Sequence, residues 1–189
     1  MTQTISDTLR QSAELKLLVA DVCGSAIETL ADWLTETLRA GNKALLFGNG
    51  GSSCDAEHIA AELVGRFQKE RAAWPALSLT APTATVTSIA NDYGYDFLFS
   101  RQMSAWARPG DLAIGLTTSG RSPNVLLGLR SAKKAGARCA VLTGQAGLAE
   151  PDAADLVIAI PSGITARVQE CHITVGHILC DIAETRLAV

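Results

Sequence analysis

Several features that mark other classes of protein are scarce in this sequence. Aromatic residues make up only 5% of the 189 positions, so the core must consist mainly of Ala, Leu, Val and Ile. The formal net charge is only -3, with a sequence pI near 5.6, which gives no general attraction to nucleic acid or to an anionic membrane. We therefore expect neither nucleic acid nor membrane as a partner, and any site for an anion must be local.

Long apolar runs and paired cysteines are also missing. Nothing approaches the ~18 consecutive apolar residues of a membrane span, and the first residues, MTQTISDTLRQSAELK, lack the basic start and apolar stretch of a targeting leader. The five cysteines are odd in number and scattered, without a C-x-x-C pair. These absences predict reduced thiols and a cytoplasmic protein.

The chain contains enough apolar residues for one compact domain over residues 1–189, since 48% of them are hydrophobic and 19% charged. Helix-forming residues predict one or two N-terminal helices over residues 11–40. Short apolar runs then alternate with helical segments, and the last segment predicts a long closing helix over Thr165–Leu187. The order predicts an α/β fold whose parallel sheet has helices on both faces and binds ligands at its carboxyl edge. The predicted strands are residues 43–47, 76–80, 111–116, 138–144 and 155–160, and the other predicted helices are residues 54–67, 83–90, 97–106 and 124–135.

Two strand-to-helix turns resemble each other, LLFGNGGSS and AIGLTTSGRS. The second, at residues 117–122, offers hydroxyls, free backbone N–H groups and the positive end of a helix dipole, which together favour phosphate. An ordinary helix start, with Ser122 as the cap and Pro123 at the first helical position, explains the same residues, and both interpretations can hold. The first turn lacks a P-loop lysine and the G-x-G-x-x-G spacing. Gly50 and Gly51 favour either a close ligand approach or a tight turn.

The three histidines and their neighbours form a second candidate site. His58 and Glu62 lie four residues apart on one face of a predicted helix. Gln169 and His177 are two turns apart and roughly 80° around the closing helix, whereas His172 points some 140° away from His177. If the two helices meet, two imidazoles, a carboxylate and an amide could bind zinc or a similar divalent ion. A solvated His58–Glu62 pair is the simpler alternative.

Three further polar residues have two interpretations each. Arg66 follows Glu62 at helical spacing. It is expected either to form a salt bridge with Glu62 or to contact an anionic substrate. Asn91 and Asp92 are expected in a turn between two elements, where they stabilise the turn or bind a sugar hydroxyl.

Four segments together closely resemble the phosphoheptose isomerases of the sugar isomerase (SIS) domain superfamily: GNGGSSCDAEHIAAELVGRF, IANDYGYDFLFSRQ, TTSGRSPNV and TARVQECHITVGH. The match covers nearly the whole chain in order. The resemblance implies a three-layer α/β/α sandwich with a central parallel sheet (the SIS fold), N-terminal helices and a long C-terminal helix. It also implies a single SIS domain and a homotetramer in which residues 1–40 are used in oligomer packing.

The implied activity is the conversion of sedoheptulose 7-phosphate to D-glycero-D-manno-heptose 7-phosphate. This is the first step toward ADP- or GDP-heptose, which supplies lipopolysaccharide and other heptosylated glycans. The resemblance places one zinc ion per subunit on His58, Glu62, Gln169 and His177. The expected substrate contacts are Asn49, Gly50, Gly51, Ser52, Glu62, Arg66, Asn91, Asp92, Thr117, Thr118, Ser119, Ser122 and Gln169. Two positions depart from the family pattern: Thr117 stands where serine is common, and Arg121 replaces a small amide.

The implied reaction requires two proton transfers, one between C1 and C2 and one between the two oxygens, through an enediol. We expect Glu62 to transfer the carbon proton and His177 to serve as the opposite acid/base. Zinc would polarise the carbonyl or hold the diol oxygens. Because a metal-bound carboxylate is a weaker base, either Glu62 is loosely coordinated or the metal chiefly organises the site.

The sequence leaves two non-enzymatic alternatives open. SIS-domain proteins include a non-catalytic tetramer that binds the replication initiator protein, and they include regulators that sense sugar phosphates. The combination of Glu62, Gln169 and His177 argues against a pure scaffold. No helix-turn-helix segment is left over for a regulator that binds DNA.

Overall fold

The computed structural model describes residues 4–187 and has the predicted α/β architecture. Five parallel strands form one sheet in the order β2-β1-β3-β4-β5. The strands are β1 (Ala44–Gly48), β2 (Ala76–Ser78), β3 (Leu112–Thr117), β4 (Arg138–Thr143) and β5 (Leu156–Ala159). The helices are α1 (Ile5–Arg39), α2 (Gly51–Val64), α3 (Thr83–Tyr93), α4 (Leu98–Trp106), α5 (Pro123–Lys134) and α6 (Thr165–Leu187). Short 3₁₀ helices occupy Tyr95–Phe97 and Pro151–Ala153.

Helices cover both faces of the sheet and make a three-layer sandwich. Every residue of β1 and β3 is buried, as is typical of strands between two helical layers. Because alternate side chains of a strand point to opposite faces, Leu46 packs with α1, α2 and α6, whereas Leu45 and Phe47 pack with α3, α4 and α5. Within residues 4–187, no helix is both long and apolar enough to cross a lipid bilayer.

Three helices have an end that differs by more than one residue from the sequence-based expectation. The N-terminal segment is a single helix of 35 residues that begins at Ile5, because Thr4 and Asp7 form a capping box ahead of it. Helix α2 starts at Gly51 instead of residue 54, and it ends at Val64 instead of residue 67. Helix α3 continues to Tyr93 and stops at Gly94, whose φ of 91° ends the helical path.

The packing of α2 against α6 positions most of the candidate site. The two helices lie side by side in the same direction, with Gly51 next to Gln169 and Ile59 next to Gly176. A Cβ atom on Gly176 would lie 2.5 Å from Ile59 Cδ1, so the missing side chain allows the close approach. The strand order reverses between β1 and β3, and in such sheets the ligand crevice opens at the carboxyl ends of the strands at that point.

Candidate active site

The two turns identified in the sequence meet where the strand order reverses. Asn49, after β1, and Asn124, in the first turn of α5, exchange two side-chain amide hydrogen bonds of 2.8 Å each. The Tyr95 hydroxyl donates a third bond of 3.0 Å to Asn49 Oδ1. This network holds the turn after β1 and the start of α5 in one arrangement.

The glycine turn, residues 49–52, leaves open space at one position and is tightly packed at another. Gly50 has φ 56° and ψ -123°, a conformation that side chains rarely adopt, and nothing lies within 4 Å of the place a Cβ would occupy. Gly51 is in contact with Gln169, whose Nε2 atom would be 2.5 Å from an added Cβ. Ser52 is buried, with 3% of its surface exposed. Open space at Gly50 therefore permits a ligand to approach the backbone.

The hydroxyl loop, residues 117–122, joins β3 to α5. Thr117 Oγ1 and Ser122 Oγ lie 3.1 Å apart, and Ser119 Oγ accepts a bond from the Arg121 N–H. Ser122 occupies the N-cap position and Pro123 the first helical position, but the Ser122 side chain makes no capping bond. Its hydroxyl is paired with Thr117 instead, beside the positive end of the α5 dipole.

The loop after β4 packs against the hydroxyl loop and hydrogen-bonds to its backbone. The Gly144 N–H donates to the Thr118 carbonyl at 3.2 Å, and the Ala149 N–H donates to the Gly120 carbonyl at 2.9 Å. Gly120, with φ 66°, fits so closely that a Cβ would lie 1.9 Å from the Gly147 carbonyl oxygen. These contacts hold the backbone of the loop that carries the hydroxyls.

Three of the four expected metal ligands lie together between α2 and α6. His58 Nε2 is 3.1 Å from Glu62 Oε1 and 3.4 Å from His177 Nε2. All three ligand atoms lie within 4.8 Å of one another. The two imidazole rings meet edge to face, and the Phe67 ring stacks on His177 with centroids 5.4 Å apart.

The donor set and two of its three separations fit a divalent metal ion such as zinc. Two imidazoles and a carboxylate are a common set of three protein ligands at catalytic zinc. Ligand atoms about 2.0–2.1 Å from one tetrahedral zinc lie about 3.3 Å apart, close to the 3.1 and 3.4 Å separations found here. The Gln169 amide lies next to Gly51, two helical turns before His177 along α6.

A nearby carboxyl adds an unsatisfied polar atom. Asp55 Oδ2 is buried without a hydrogen-bond partner among the described residues. Burial raises the pKa of Asp55 to about 6, and the nearby His58 opposes that rise. Asp55 lies one turn before His58 on α2, so this buried carboxyl borders the cluster.

The remaining histidine belongs to the core. His172 is fully buried, and its Nε2 lies 3.3 Å from the Thr143 carbonyl oxygen, while its Nδ1 has no partner among the described residues. Burial lowers its pKa to about 4, and the Thr143 carbonyl opposes this only partly. The ring is therefore neutral at pH 7 and points away from His177, as the helical spacing predicts.

Two sequence interpretations are wrong. Arg66 does not pair with Glu62, because α2 ends before it; its Nε lies 3.7 Å from the exposed Glu70 carboxylate. Asn91 and Asp92 are not in a turn between elements, because they lie in the last turn of α3 and bond to each other at 2.8 Å. All three side chains are exposed.

Sequence reasoning missed four residues beside the expected ones. They are Asp55, Phe67, Tyr95 and Asn124, which contact or border the glycine turn and the histidine cluster. Asn124 directly follows the helix-starting proline, and its place beside the hydroxyl loop is the sequence signal that could have identified it. The other three carry no local signal.

Comparison with known proteins finds relatives that match this chain over nearly its whole length. A family model described as "SIS domain" matches residues 10–144. A phosphoheptose isomerase of Aquifex aeolicus (strain VF5) is 47% identical over 184 residues, which cover 97% of this chain and 96% of that protein. A phosphoheptose isomerase structure from Francisella tularensis superposes with a TM-score of 0.92 at 33% identity, over 96% of each chain. The phosphoheptose isomerase GmhA from Neisseria gonorrhoeae gives a TM-score of 0.86 at 33% identity, over 96% of this chain and 97% of that one.

Proposed function

The chain belongs to the phosphoheptose isomerases of the SIS domain family, and we propose that its chemistry takes place at the cluster of His58, Glu62 and His177. It is an isomerase of heptose metabolism that converts sedoheptulose 7-phosphate to D-glycero-D-manno-heptose 7-phosphate. The relatives are enzymes, so the non-catalytic alternative that binds the replication initiator has no support.

The close approach of a carboxylate and an imidazole from two helices supports the proposed roles. Glu62 would remove the proton from one of the two carbons C1 and C2 and return it to the other. His177, on the neighbouring helix, would move the proton between the two oxygens. Acid/base groups act over hydrogen-bond distances, and His58 lies within 3.4 Å of both partners, which keeps them in one small volume.

We propose one zinc ion per subunit, held by His58, Glu62, Gln169 and His177. When bound, zinc supplies polarisation of the substrate carbonyl and stabilises negative charge on its oxygen. Gln169 would contribute its amide oxygen from α6, where its amide lies next to Gly51.

Phosphate would bind at the hydroxyl loop. Thr117, Thr118, Ser119 and Ser122 surround the N-terminus of α5, where hydroxyls and the helix dipole favour an anion. The glycine turn, Asn49 through Ser52, would face the sugar backbone over the open space at Gly50. The exposed hydrogen-bonding groups of Arg66, Asn91 and Asp92 complete the proposed substrate contacts.

We further propose a homotetramer in the cytoplasm, formed by a single SIS domain whose residues 1–40 pack between subunits. Helix α1 leaves large apolar side chains exposed, among them Ile5, Leu9, Leu17 and Val22 at 60% to 83%. Contiguous exposed apolar groups favour burial against another chain. All five cysteines are free thiols, in keeping with a reducing compartment.

The decisive experiment compares two Glu→Gln variants of α2. We expect Glu62→Gln to lose isomerase activity on sedoheptulose 7-phosphate while it keeps the wild-type circular dichroism spectrum, because an amide cannot accept the carbon proton. Glu57 lies on the same helix, about 140° around from Glu62, and its carboxylate accepts a bond from Thr80. Glu57→Gln should retain activity. Near-normal turnover by Glu62→Gln would rule out its role as the base.

A further inference from the structure

A buried ion pair lies beside the cluster and has no role in the functions described so far. Arg71, in the loop after α2, places its Nε 3.1 Å from Glu184 Oε1 on α6, and the two side chains are only 3% and 0% exposed. Burying two charges is costly, and apolar residues of similar volume often stabilise a fold as well or better. The pair therefore requires an explanation other than general stability.

The Glu184 carboxylate binds the loop after α2 through its backbone. It accepts three consecutive N–H groups, from Phe67, Gln68 and Lys69, at 2.8, 2.9 and 2.8 Å. Successive N–H groups that converge in this way form an anion-binding concavity. Burial raises the pKa of Glu184, but these N–H groups and Arg71 outweigh it and leave the pKa below its usual value. The carboxylate is therefore ionised at neutral pH.

The Arg71 guanidinium binds the end of α2. Its Nη2 donates to the Glu62 carbonyl at 2.8 Å, and its Nη1 donates to the Leu63 carbonyl at 2.9 Å. The last carbonyls of a helix have no partner within the helix, so this contact caps α2 at the residue that carries the proposed base. The guanidinium also stacks over the Trp74 ring, 3.6 Å from its centroid.

The same carboxylate fixes the neighbour of His177. Phe67, whose N–H is bound by Glu184, stacks its ring on the His177 imidazole with an interplanar angle of 28°. Glu184 lies seven residues after His177, which places both on one side of α6. The ion pair is thus connected to both proton-transfer residues. Arg71 binds the backbone carbonyl of Glu62, and Glu184 binds the backbone of Phe67, whose ring contacts His177.

We propose that the Arg71–Glu184 pair is a positioning device that sets the distance and orientation between Glu62 and His177. The proposal rests on the proposed function of these two residues. The ion pair joins the ends of α2 and α6, so it holds together the two helices that carry the proton-transfer groups. The hydroxyl loop, which is the proposed phosphate site, lies outside this network. Loss of the ion pair should therefore lower turnover much more than it lowers substrate affinity.

The test uses two variants of the network and one matched control. Glu184→Gln removes the charge at nearly constant shape. Phe67→Leu removes the stacking but keeps the ion pair and the backbone bonds. The control is Asp111→Asn, because Asp111 is also a buried carboxylate, bound to Lys43 and to two backbone N–H groups, between the starts of β1 and β3.

Turnover and affinity should separate in these variants. Because a misplacement of about 1 Å can lower the rate by about 10²-fold, we expect kcat of Glu184→Gln to fall by about that factor, with KM for sedoheptulose 7-phosphate within about threefold of wild type. Phe67→Leu should lose about tenfold in kcat. Asp111→Asn should keep the wild-type kcat at temperatures where it is folded. An unchanged kcat in folded Glu184→Gln and in Phe67→Leu, or an equal loss in Asp111→Asn, would overturn the proposal.

A spectroscopic measurement separates this proposal from the proposed function. The Phe67 ring face should shift the His177 ring protons upfield in the NMR spectrum. We expect that shift to disappear in Phe67→Leu, to weaken in Glu184→Gln and to persist in Asp111→Asn. If the wild type did not isomerise the substrate, the proposed function would fail. These shifts would still show whether the ion pair positions the Phe67 ring against His177. An unaltered shift in Glu184→Gln would refute it, and if that variant does not fold, Phe67→Leu alone decides through its kcat.

Discussion

Replacement of Gly51 by alanine tests whether the position of Gln169 matters for catalysis. An added Cβ would lie 2.5 Å from Gln169 Nε2 and 2.9 Å from its Cδ, whereas ordinary contacts begin at 3.4 Å. The amide must therefore move away by about 1 Å, a displacement that can cost about 10²-fold in rate at an active site. We expect kcat of Gly51→Ala to fall by about that factor and its zinc affinity to fall as well.

The same change should not harm the fold. Gly51 begins α2 with an ordinary helical backbone, and alanine is favoured over glycine in helices by about 0.5–1 kcal/mol. The obstacle is the end of a flexible, half-buried side chain, so it can move at little cost. The free energy of unfolding should stay equal or rise slightly while activity falls.

Gly176→Ala is the matched control, because its added Cβ would also meet an atom at 2.5 Å. That atom belongs to Ile59, which is 1% exposed and β-branched, so it cannot move aside freely. Overpacking there should cost about 1–3 kcal/mol of unfolding free energy. The measurements are steady-state isomerase kinetics, zinc binding in competition with a chelator, and urea unfolding. Wild-type kcat and zinc affinity in Gly51→Ala would refute a role for Gln169 at its present position.

Two further predictions concern pH and metal. Burial lowers the pKa of His172 to about 4 in the folded protein, against about 6.5 in the unfolded chain. The stability that the neutral ring contributes is therefore complete above about pH 6.5 and is lost as the pH falls toward 4, by up to about 3 kcal/mol. Urea unfolding at pH 7 and pH 4.5 should show a smaller pH effect for His172→Asn than for the wild type, and equal effects would contradict the neutral, buried ring. Removal of metal by a chelator should lower isomerase activity by about 10²-fold or more, and added zinc should restore it. Full activity in protein shown by elemental analysis to be metal-free would contradict the zinc proposal.

Local patterns in the sequence predicted most of the elements but not their ends. The alternation of apolar strands with helices predicts the parallel sheet and its two covering layers. The prediction of a turn at Asn91 and Asp92 is wrong, because α3 continues through both residues and ends at Gly94. The start of α2 at Gly51 is equally hard to predict, because a glycine-rich stretch is typical of a turn even where its backbone is helical.

In the candidate site, too, contacts within one helix are predictable from the sequence and contacts between helices are not. The pairing of His58 with Glu62 follows from helical spacing alone, because residues four apart share a face in any helix. Their meeting with His177 required the resemblance to a family or the structure itself, since 119 residues separate His58 from His177.

By itself, therefore, the sequence determined the α/β class, the two polar turns at the carboxyl edge, and the His58–Glu62 pair. Only the tertiary structure decided that Asn49 bonds to Asn124 and that Glu184 holds the loop beside His177. The physical reason is the range of the interactions. Backbone hydrogen bonding repeats every few residues and leaves a periodic pattern in the sequence, whereas a contact between elements arises only once they pack around a common core.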